Sequence, residues 1–437
     1  MASPSTIDIL TFQVGFGDCF LLRFNYAADR PRHVLIDFGS FPKASWLKGD
    51  GMRLVAEEIR AQCAGKLDAI VATHRHADHI SGFTTGADDP GSIIAACNPD
   101  VVVQPWTEDP DARTNARRPT GLHAHGSLAF RDFERAAAFV QSLDAMRALL
   151  PVVENEASAL RARGLAEAAR ELAFHGQNGL SNRSAVENLM AMGRSGSARY
   201  VYYGADSGLE DVLPGVGVSV LGPPTLEQSD TIRRYASASP DQYWLTQIRT
   251  ALRLTDTLAT DLEAPQYDAS VTPAYARWLI TRLRSLRGRQ LLEIVRTLDR
   301  VLNNTSVVLL FQAGDRKLLF PGDAQLENWT YALQQDGVQE TLADADFYKV
   351  GHHGSLNATP KSLWKLFKNK SEKKKAASRL KSLMSTMEGK HGHTTARTEV
   401  PRRTLVNALN RESDLFTTQK VKPADLHIPG DIVVTFP

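Results

Sequence analysis

Residues 72–82 read ATHRHADHISG and place four metal-capable side chains, His74, His76, Asp78 and His79, within six positions. The preceding residues LDAIVA form an apolar run typical of a buried strand, so we expect the cluster at the carboxyl end of a strand. Only twelve histidines occur in 437 residues. Zn²⁺, Mn²⁺ and Fe accept imidazole and carboxylate ligands, and the stretch therefore predicts a metal site.

The spacing of these side chains suggests two adjacent metal positions. His74 and His76 are two residues apart and point the same way in an extended chain, which suits one ion. Asp78 and His79 follow on the turn and suit a second ion. The alternative, a polar turn with coincidental histidines, does not explain so dense a cluster.

Working outward from this cluster, the pattern predicts a mixed α/β fold. Strands are expected at IDILTF, CFLLRF, HVLIDFGS, LDAIVATH, YVYYG and GVSVLGPP, with a helix at MRLVAEEIRAQC. SVVLLFQAGDRKLLFPGDA predicts a hairpin, and FYKVGHHGS a strand that ends in histidines. Residues 115–194 and 225–300 are rich in helix formers, so we expect a single domain, residues 1–437, with two mainly helical insertions.

Composition and cysteine spacing narrow the class of protein. With 43% hydrophobic and 23% charged residues, the chain is ordinary for a globular protein. It has no apolar run long enough for a membrane helix and no secretory signal pattern, so we expect no membrane association and a cytoplasmic location. Cys19, Cys63 and Cys97 are widely spaced, which argues against a disulfide framework or a thiolate zinc site.

Basic charge is concentrated in residues 361–411, which contain 14 Lys and Arg against three Glu. Such a segment is often only a solvated helix or loop. The functional alternative is a strip that binds nucleic acid phosphates. The candidate residues for that strip are Lys368, Lys370, Lys373, Lys374, Lys375, Arg379 and Lys381.

The HxHxDH stretch after a buried strand resembles the signature of the metallo-β-lactamase fold. Further pieces occur in the order of that family: Asp37 in LIDFG, Asp323 in LLFPGDA, and the pair His352 and His353 in VGHHGS. VGFGDCFLLRF near the start and NNTSVVLLF before Asp323 are similar to the hydrolase domain of ComEC-type competence proteins and related choline-phosphate esterases. The resemblance covers roughly residues 7–105, 197–224 and 303–437.

This resemblance implies a four-layer αββα sandwich that holds two divalent metal ions, Zn or Mn. It assigns His74 and His76 to the first metal, Asp78, His79 and His353 to the second, and a bridging role to Asp323. Asp37 would orient a ligand histidine, and His352 would contact substrate or leaving group, unless the roles of His352 and His353 are reversed. His393, in STMEGKHGHTTARTEVP, either faces the cleft or belongs to a polar loop.

The sequence departs from the broad family in one respect. Many members supply a third histidine to the first metal, and here Asn303, Asn304 and Ser306 stand in its place. We expect Asn304 and Ser306, together with Asp37, to support the metal ligands without binding the metal themselves. The other candidate histidines in the interval fall in the insertions and are expected at the surface: His123, His125 and His175.

The implied activity is hydrolysis of phosphodiester bonds, most directly by a nuclease. Two cations would convert a bridging water to hydroxide, Asp78 and Asp323 would orient it, and His352 or His393 would assist the leaving group. Alternatives are a phosphodiesterase or esterase acting on a small phosphate ester, a β-lactam or thioester hydrolase, and a non-catalytic subunit. The long insertions suggest a homodimer or a larger protein complex.

Overall fold

The computed structural model describes residues 3–47, 49–86, 89–111, 118–119, 150–180, 182–229, 291–292, 296, 299–376, 378–392, 399–422, 425–430 and 432–435. Most of the predicted second insertion lies outside these residues, as does the first part of the predicted first insertion.

The first sheet has seven strands in the order β13-β1-β2-β3-β4-β5-β6. Strands β1 to β3 and β13 pair antiparallel, and β3 to β6 are parallel. Parallel β3, β4 and β5 bring their carboxyl ends to one edge, and the loop that carries His74 and His76 begins there. The strands are β1 Thr6–Thr11, β2 Cys19–Asn25, β3 Arg32–Phe38, β4 Ala69–Val71, β5 Val101–Pro105, β6 Ser197–Val201 and β13 Ile432–Thr435.

The second sheet has six strands in the order β12-β11-β10-β9-β8-β7. The predicted hairpin is confirmed as antiparallel β8 and β9, and β9 to β12 are parallel. The turn after β9 and the turn after β10 therefore lie at the same edge and carry the later predicted ligands. The strands are β7 Val216–Gly222, β8 Val308–Ala313, β9 Arg316–Phe320, β10 Phe347–Lys349, β11 Lys381–Met384 and β12 Asp414–Thr417.

Helices cover the outer face of each sheet. The predicted helix α1 has Met52, Val55, Ala56 and Ile59 buried at spacings of three and four residues, which gives it one apolar face. The helices on the first sheet are α1 Gly51–Gln62, α2 Ala77–Ile80, α3 Pro90–Ala95, α4 Leu150–Ala162, α5 Ala166–Leu180 and α6 Arg183–Ser195. Those on the second sheet are α7 Leu326–Ala332, α8 Val338–Ala343, α9 Lys361–Leu366 and α10 Arg403–Glu412.

Three apolar cores separate these layers. The central core lies between the sheets, where the rings of Phe20 and Phe320 are 6.1 Å apart. One outer core joins α1–α6 to the first sheet, and another joins α7–α10 to the second sheet. The chain is thus a mixed α/β sandwich with its layers in the order helix, sheet, sheet, helix.

The described parts of the insertions and of the basic segment refine the sequence-based expectations. Helices α4, α5 and α6 lie in the later part of the predicted first insertion, residues 115–194. The basic segment differs from a simple solvated helix or loop, because it contains strand β11, whose Leu383 and Met384 are fully buried. In the described part of the chain, no helix combines the length and the apolar character needed to cross a membrane.

Candidate metal centre

Strand β4 lies in the interior of the first sheet. The loop predicted to bind metal, residues 72–76 and called the metal-binding loop below, follows this strand. The loop ends at His76, and the short helix α2 then carries Asp78 and His79. His74 and His76 are each 1% exposed, and His74 Nε2 lies 3.0 Å from His76 Nδ1. These two residues, called the histidine pair below, thus turn ring nitrogens toward a common position.

Four side chains from three distant segments meet beside the histidine pair. One nitrogen or oxygen atom of each lies within 4.8 Å of the corresponding atoms of the other three. His79 Nε2 is 3.0 Å from Asp323 Oδ2, and His353 Nε2 is 3.1 Å from Asp78 Oδ2. This group, called the four-ligand cluster, consists of Asp78, His79, Asp323 and His353. The structure therefore brings together the residues that the sequence assigned to the second metal and to the bridge.

The four-ligand cluster has the donor atoms and the spacing that a divalent cation requires. His79 Nε2, Asp78 Oδ1 and Asp323 Oδ2 are buried without an aligned hydrogen bond to any described residue. Zinc lies about 2.0–2.2 Å from nitrogen and oxygen ligands, so neighbouring ligand atoms are about 3–3.5 Å apart. Since the two shortest separations between cluster residues fall in this range, the cluster fits such an ion.

The charges of the cluster are strongly coupled. Burial alone would lower the pKa of His79, but nearby carboxylates, Asp323 and Asp37 foremost, raise it well above its usual value. Burial would likewise raise the pKa of Asp323, but His79 and His353 lower it well below the usual range. By contrast, burial and the neighbouring His79 lower the pKa of His74. Without metal the cluster is an ion-paired network, whereas neutral His74 keeps a lone pair for a cation.

Asp37 contacts the cluster from the end of β3, as the sequence led us to expect. Its Oδ2 lies 2.8 Å from His79 Nδ1 and accepts a hydrogen bond from Thr73 Oγ1 at 2.7 Å. Its Oδ1 accepts a hydrogen bond from Thr73 N, also at 2.7 Å. Metal-binding histidines usually place their second ring nitrogen against such an acceptor, which fixes the ring orientation. Asp37 therefore aims His79 Nε2 into the cluster.

Ser306 and Asn304 support the turn that carries Asp323. Ser306 Oγ accepts a hydrogen bond from Asp323 N at 3.1 Å. Asn304 acts one step further away, since its Oδ1 accepts from Gln325 N at 3.3 Å. Both residues thus hold the backbone around Asp323, and neither is a member of the four-ligand cluster.

A buried lysine, which the sequence analysis missed, neutralises the carboxylates behind the cluster. Asp18, Asp37 and His79 form a second group with ligand atoms within 4.8 Å of one another. Lys349 Nζ contacts Asp18 and lies 3.5 Å from Asp323 Oδ1, and it is 1% exposed. Burial would lower the pKa of Lys349, but Asp18 and Asp323 raise it. The ammonium group therefore supplies the positive charge beside this second group. The sequence signal for this role was a lysine within the otherwise apolar strand FYKV.

The adjacent histidines of the VGHHGS turn have different surroundings. His353 is fully buried, and its Nδ1 lies 3.1 Å from the carbonyl oxygen of Ser385. The side chain of His352 is 19% exposed, with Nε2 4.0 Å from Asp323 Oδ2. Both residues have positive φ, 43° and 51°, so a tight left-handed turn separates their side chains, rather than the strand alternation assumed from the sequence. This placement is consistent with His353 as a ligand and His352 toward substrate.

Three further polar residues lie beside the site: His175 and Asp299 from the insertions, and His391 from the basic segment. The expectation that His175 lies at the surface is wrong: its side chain is 10% exposed, and its Nδ1 is 2.9 Å from Asp299 Oδ1. That same oxygen is 3.7 Å from His76 Nε2. His391 packs against Phe174, with ring centroids 4.8 Å apart, and burial lowers its pKa to about 4. Sequence spacing carried no signal for these contacts, because they join distant segments.

Not every residue predicted from the sequence lies at the metal centre. His123, His125 and His393 lie outside the described residues. In the basic segment, Lys373, Lys374 and Lys375 are exposed. Two other candidates serve the fold: Lys370 packs 5.0 Å from the Trp364 ring centroid, and Arg379 is 6% exposed and bonds Asp414 at 2.6 Å. Lys368 lies 3.1 Å from Asp344, and Lys381 is half-buried in β11.

Comparison with known proteins adds no assignment. No family model matches the sequence, and no curated protein matches it either.

Proposed function

We propose that this chain is a metal-dependent phosphodiesterase of the metallo-β-lactamase fold, and most directly a nuclease. The observation that carries the proposal is the four-ligand cluster, in which residues more than 270 positions apart converge beside the histidine pair. Burying so many ionisable groups is costly unless they are paired or bind a metal. The helix, sheet, sheet, helix layering and the resemblance of the HxHxDH and HHGS segments support the same family.

The histidine pair would hold a first divalent cation and the four-ligand cluster a second, with Asp323 between them. When bound, such cations provide a nucleophile from water at neutral pH and neutralise charge on a phosphoryl group. The surrounding residues orient the ligands: Asp37 fixes the His79 ring, and Ser306 holds the backbone of Asp323. His352, whose side chain is 19% exposed, would contact a phosphoryl oxygen or a departing alkoxide.

A second candidate function is hydrolysis of a small phosphate ester. Side chains of the four-ligand cluster are at most 3% exposed. Beside the cluster, His352, Asp299 and His175 are partly open to solvent, at 19, 13 and 10% exposure. Such limited exposure suits a small ester or a single-stranded end better than the flank of a duplex. The exposed lysines at 373–375 favour the nuclease, because clustered cations attract a polyanion.

The decisive experiment measures bound metal in the purified chain and then cleavage of labelled single- and double-stranded DNA and RNA with Mn²⁺ or Zn²⁺. We expect bound metal and cleavage that Asp78→Ala and His79→Ala both abolish. Asp29→Asn, which changes a half-exposed carboxylate outside the site, is the matched control and should cleave normally. Turnover of only a small chromogenic diester would select the second candidate. Absence of metal and of any hydrolysis would refute both.

A further inference from the structure

His76 has a second neighbour on the side of its ring that faces away from His74. Its Nδ1 is the atom turned toward His74, whereas its Nε2 is buried and has no aligned hydrogen bond to a described residue. Asp299 Oδ1 lies 3.7 Å from that Nε2. Accepting the Nε2 proton would require the carboxylate to come closer, and it would leave the Nδ1 lone pair for a metal.

Asp299 is itself held in place by groups from two segments. His175 Nδ1, on helix α5, lies 2.9 Å from Asp299 Oδ1. Asn303 Nδ2 donates to Asp299 Oδ2 at 3.3 Å, within the helical residues 299–303. These two contacts hold the Asp299 carboxylate in place beside His76.

The helix that carries His175 also contacts the segment of residues 75–78. Asn178, three residues after His175 on α5, accepts a hydrogen bond at Oδ1 from Asp78 N at 3.2 Å. Asn182, which lies between α5 and α6, donates from Nδ2 to the carbonyl oxygen of Arg75 at 2.7 Å. These contacts hold α5 and the residues after it against the segment that carries His76.

We propose that Asp299 is a positioning residue for the first metal, which it serves by orienting His76, with His175 and Asn303 holding its carboxylate. The inference rests on the proposed function, because it assumes that the histidine pair binds a metal. This role makes the two insertions part of the site. They would act at the first metal, to which many members of the resembled family supply a third histidine. Among the described residues, Asp299 makes ion-pair contacts with His76 and His175 and with no member of the four-ligand cluster. We therefore expect its substitution to weaken the binding of the first metal only.

The test is a metal titration of the full chain, with affinity measured by competition against a chromogenic chelator. The unmodified chain should bind two Zn²⁺ ions. Asp299→Asn keeps the side-chain shape but removes the charge, and it should weaken one of the two ions about 10–100-fold while leaving the other unchanged. His175→Gln should produce a smaller loss at the same ion. Glu187→Gln, a surface carboxylate on α6 paired with Arg183, is the matched control and should bind both ions normally.

Two further measurements separate positioning from a general structural effect. In a His76→Ala background, adding Asp299→Asn should cause no further loss of affinity, because the two residues act through one ligand. The melting temperature of the metal-free Asp299→Asn chain should fall no more than that of the metal-free His175→Gln chain, because both substitutions break the same buried ion pair. Two bound ions with unchanged affinities in Asp299→Asn would overturn this inference alone. Failure of the unmodified chain to bind metal would overturn the proposed function as well.

Discussion

The Oδ2 atom of Asp37 lies 2.8 Å from Nδ1 of His79, and this contact sets which ring nitrogen faces the four-ligand cluster. The same carboxylate bonds both the backbone and the hydroxyl of Thr73, two residues beyond β4. One buried side chain at the end of β3 therefore positions both the start of the metal-binding loop and a ligand on α2.

We expect Asp37→Asn to weaken metal binding about 10–100-fold, since substitutions of residues that orient metal ligands usually cost this much. Affinity measured by chelator competition tests the prediction. Asp29→Asn, at a half-exposed position on the loop before β3, is the control. An unchanged affinity in Asp37→Asn would show that the contact does not support the metal site.

Gly39→Ala should disturb the same loop through its backbone. A Cβ atom at Gly39 would lie 2.3 Å from His79 N and 2.4 Å from the carbonyl carbon of Asp78, so one of the two segments must move. We expect a loss of about 1–3 kcal/mol in the free energy of unfolding, measured in urea, together with weaker metal binding. Gly217→Ala, where the nearest atoms are 3.8 Å from the added Cβ, should change stability little.

A buried ion pair holds the loop from its other side. Arg75 Nε donates to Glu108 Oε1 at 2.8 Å, and the two side chains are 7% and 2% exposed. Arg75→Met should lower the free energy of unfolding by about 3–5 kcal/mol, because it leaves a buried carboxylate without its partner. The double variant with Glu108→Leu should recover much of this loss. Equal stability of the single and the double variant would contradict the assignment.

Acid should destabilise the fold partly through His33, which is remote from the metal centre. Burial lowers the pKa of His33 in the folded chain to about 4, whereas the pKa of the same imidazole in the unfolded chain is about 6.5. The unfolded state therefore binds more protons between these values, and stability falls as pH falls from about 6.5 to about 4, by up to about 3 kcal/mol. His33→Gln should flatten this part of the stability curve, as measured by urea unfolding at several pH values.

The nucleic acid proposal predicts a specific salt dependence. Replacing Lys373, Lys374 and Lys375 together by glutamine should weaken DNA binding and reduce the slope of log K against log salt, by about 3 if all three contact phosphates. Metal content should stay unchanged. Lys370→Gln serves as the comparison, since this lysine packs on Trp364 and should affect stability more than the salt slope. Identical slopes in the triple variant and the unmodified chain would remove the exposed lysines from the interface.

Local patterns were enough to predict the framework around the site. Strands β1 to β4, helix α1 and the β8–β9 hairpin follow from apolar periodicity and turn residues that act within a few positions. The four-ligand cluster was predicted through the resemblance of three short motifs, HxHxDH, GDA and GHHG, to a known family pattern. Asp37 followed from the same resemblance.

The remaining polar residues depend on long-range packing, which periodicity does not report. His175 and Asp299 meet only because the ends of two insertions fold against the metal-binding loop. Lys349 is paired with Asp18, more than 300 residues earlier in the chain. Arg379 looked like a surface cation in a lysine-rich run, but its bonds to Asp414 and the carbonyl of Arg411 bury it. In each case the decisive partner is distant in sequence.

The ammonium group of Lys349 bears on the order of folding and metal binding under the proposed function. It supplies positive charge to Asp18 and Asp323 without any metal, so mutual repulsion of the acidic groups need not prevent the sandwich from closing. We expect the newly synthesised chain to reach its compact state first and to acquire its ions afterwards, unlike small zinc domains that stay unfolded until they are loaded.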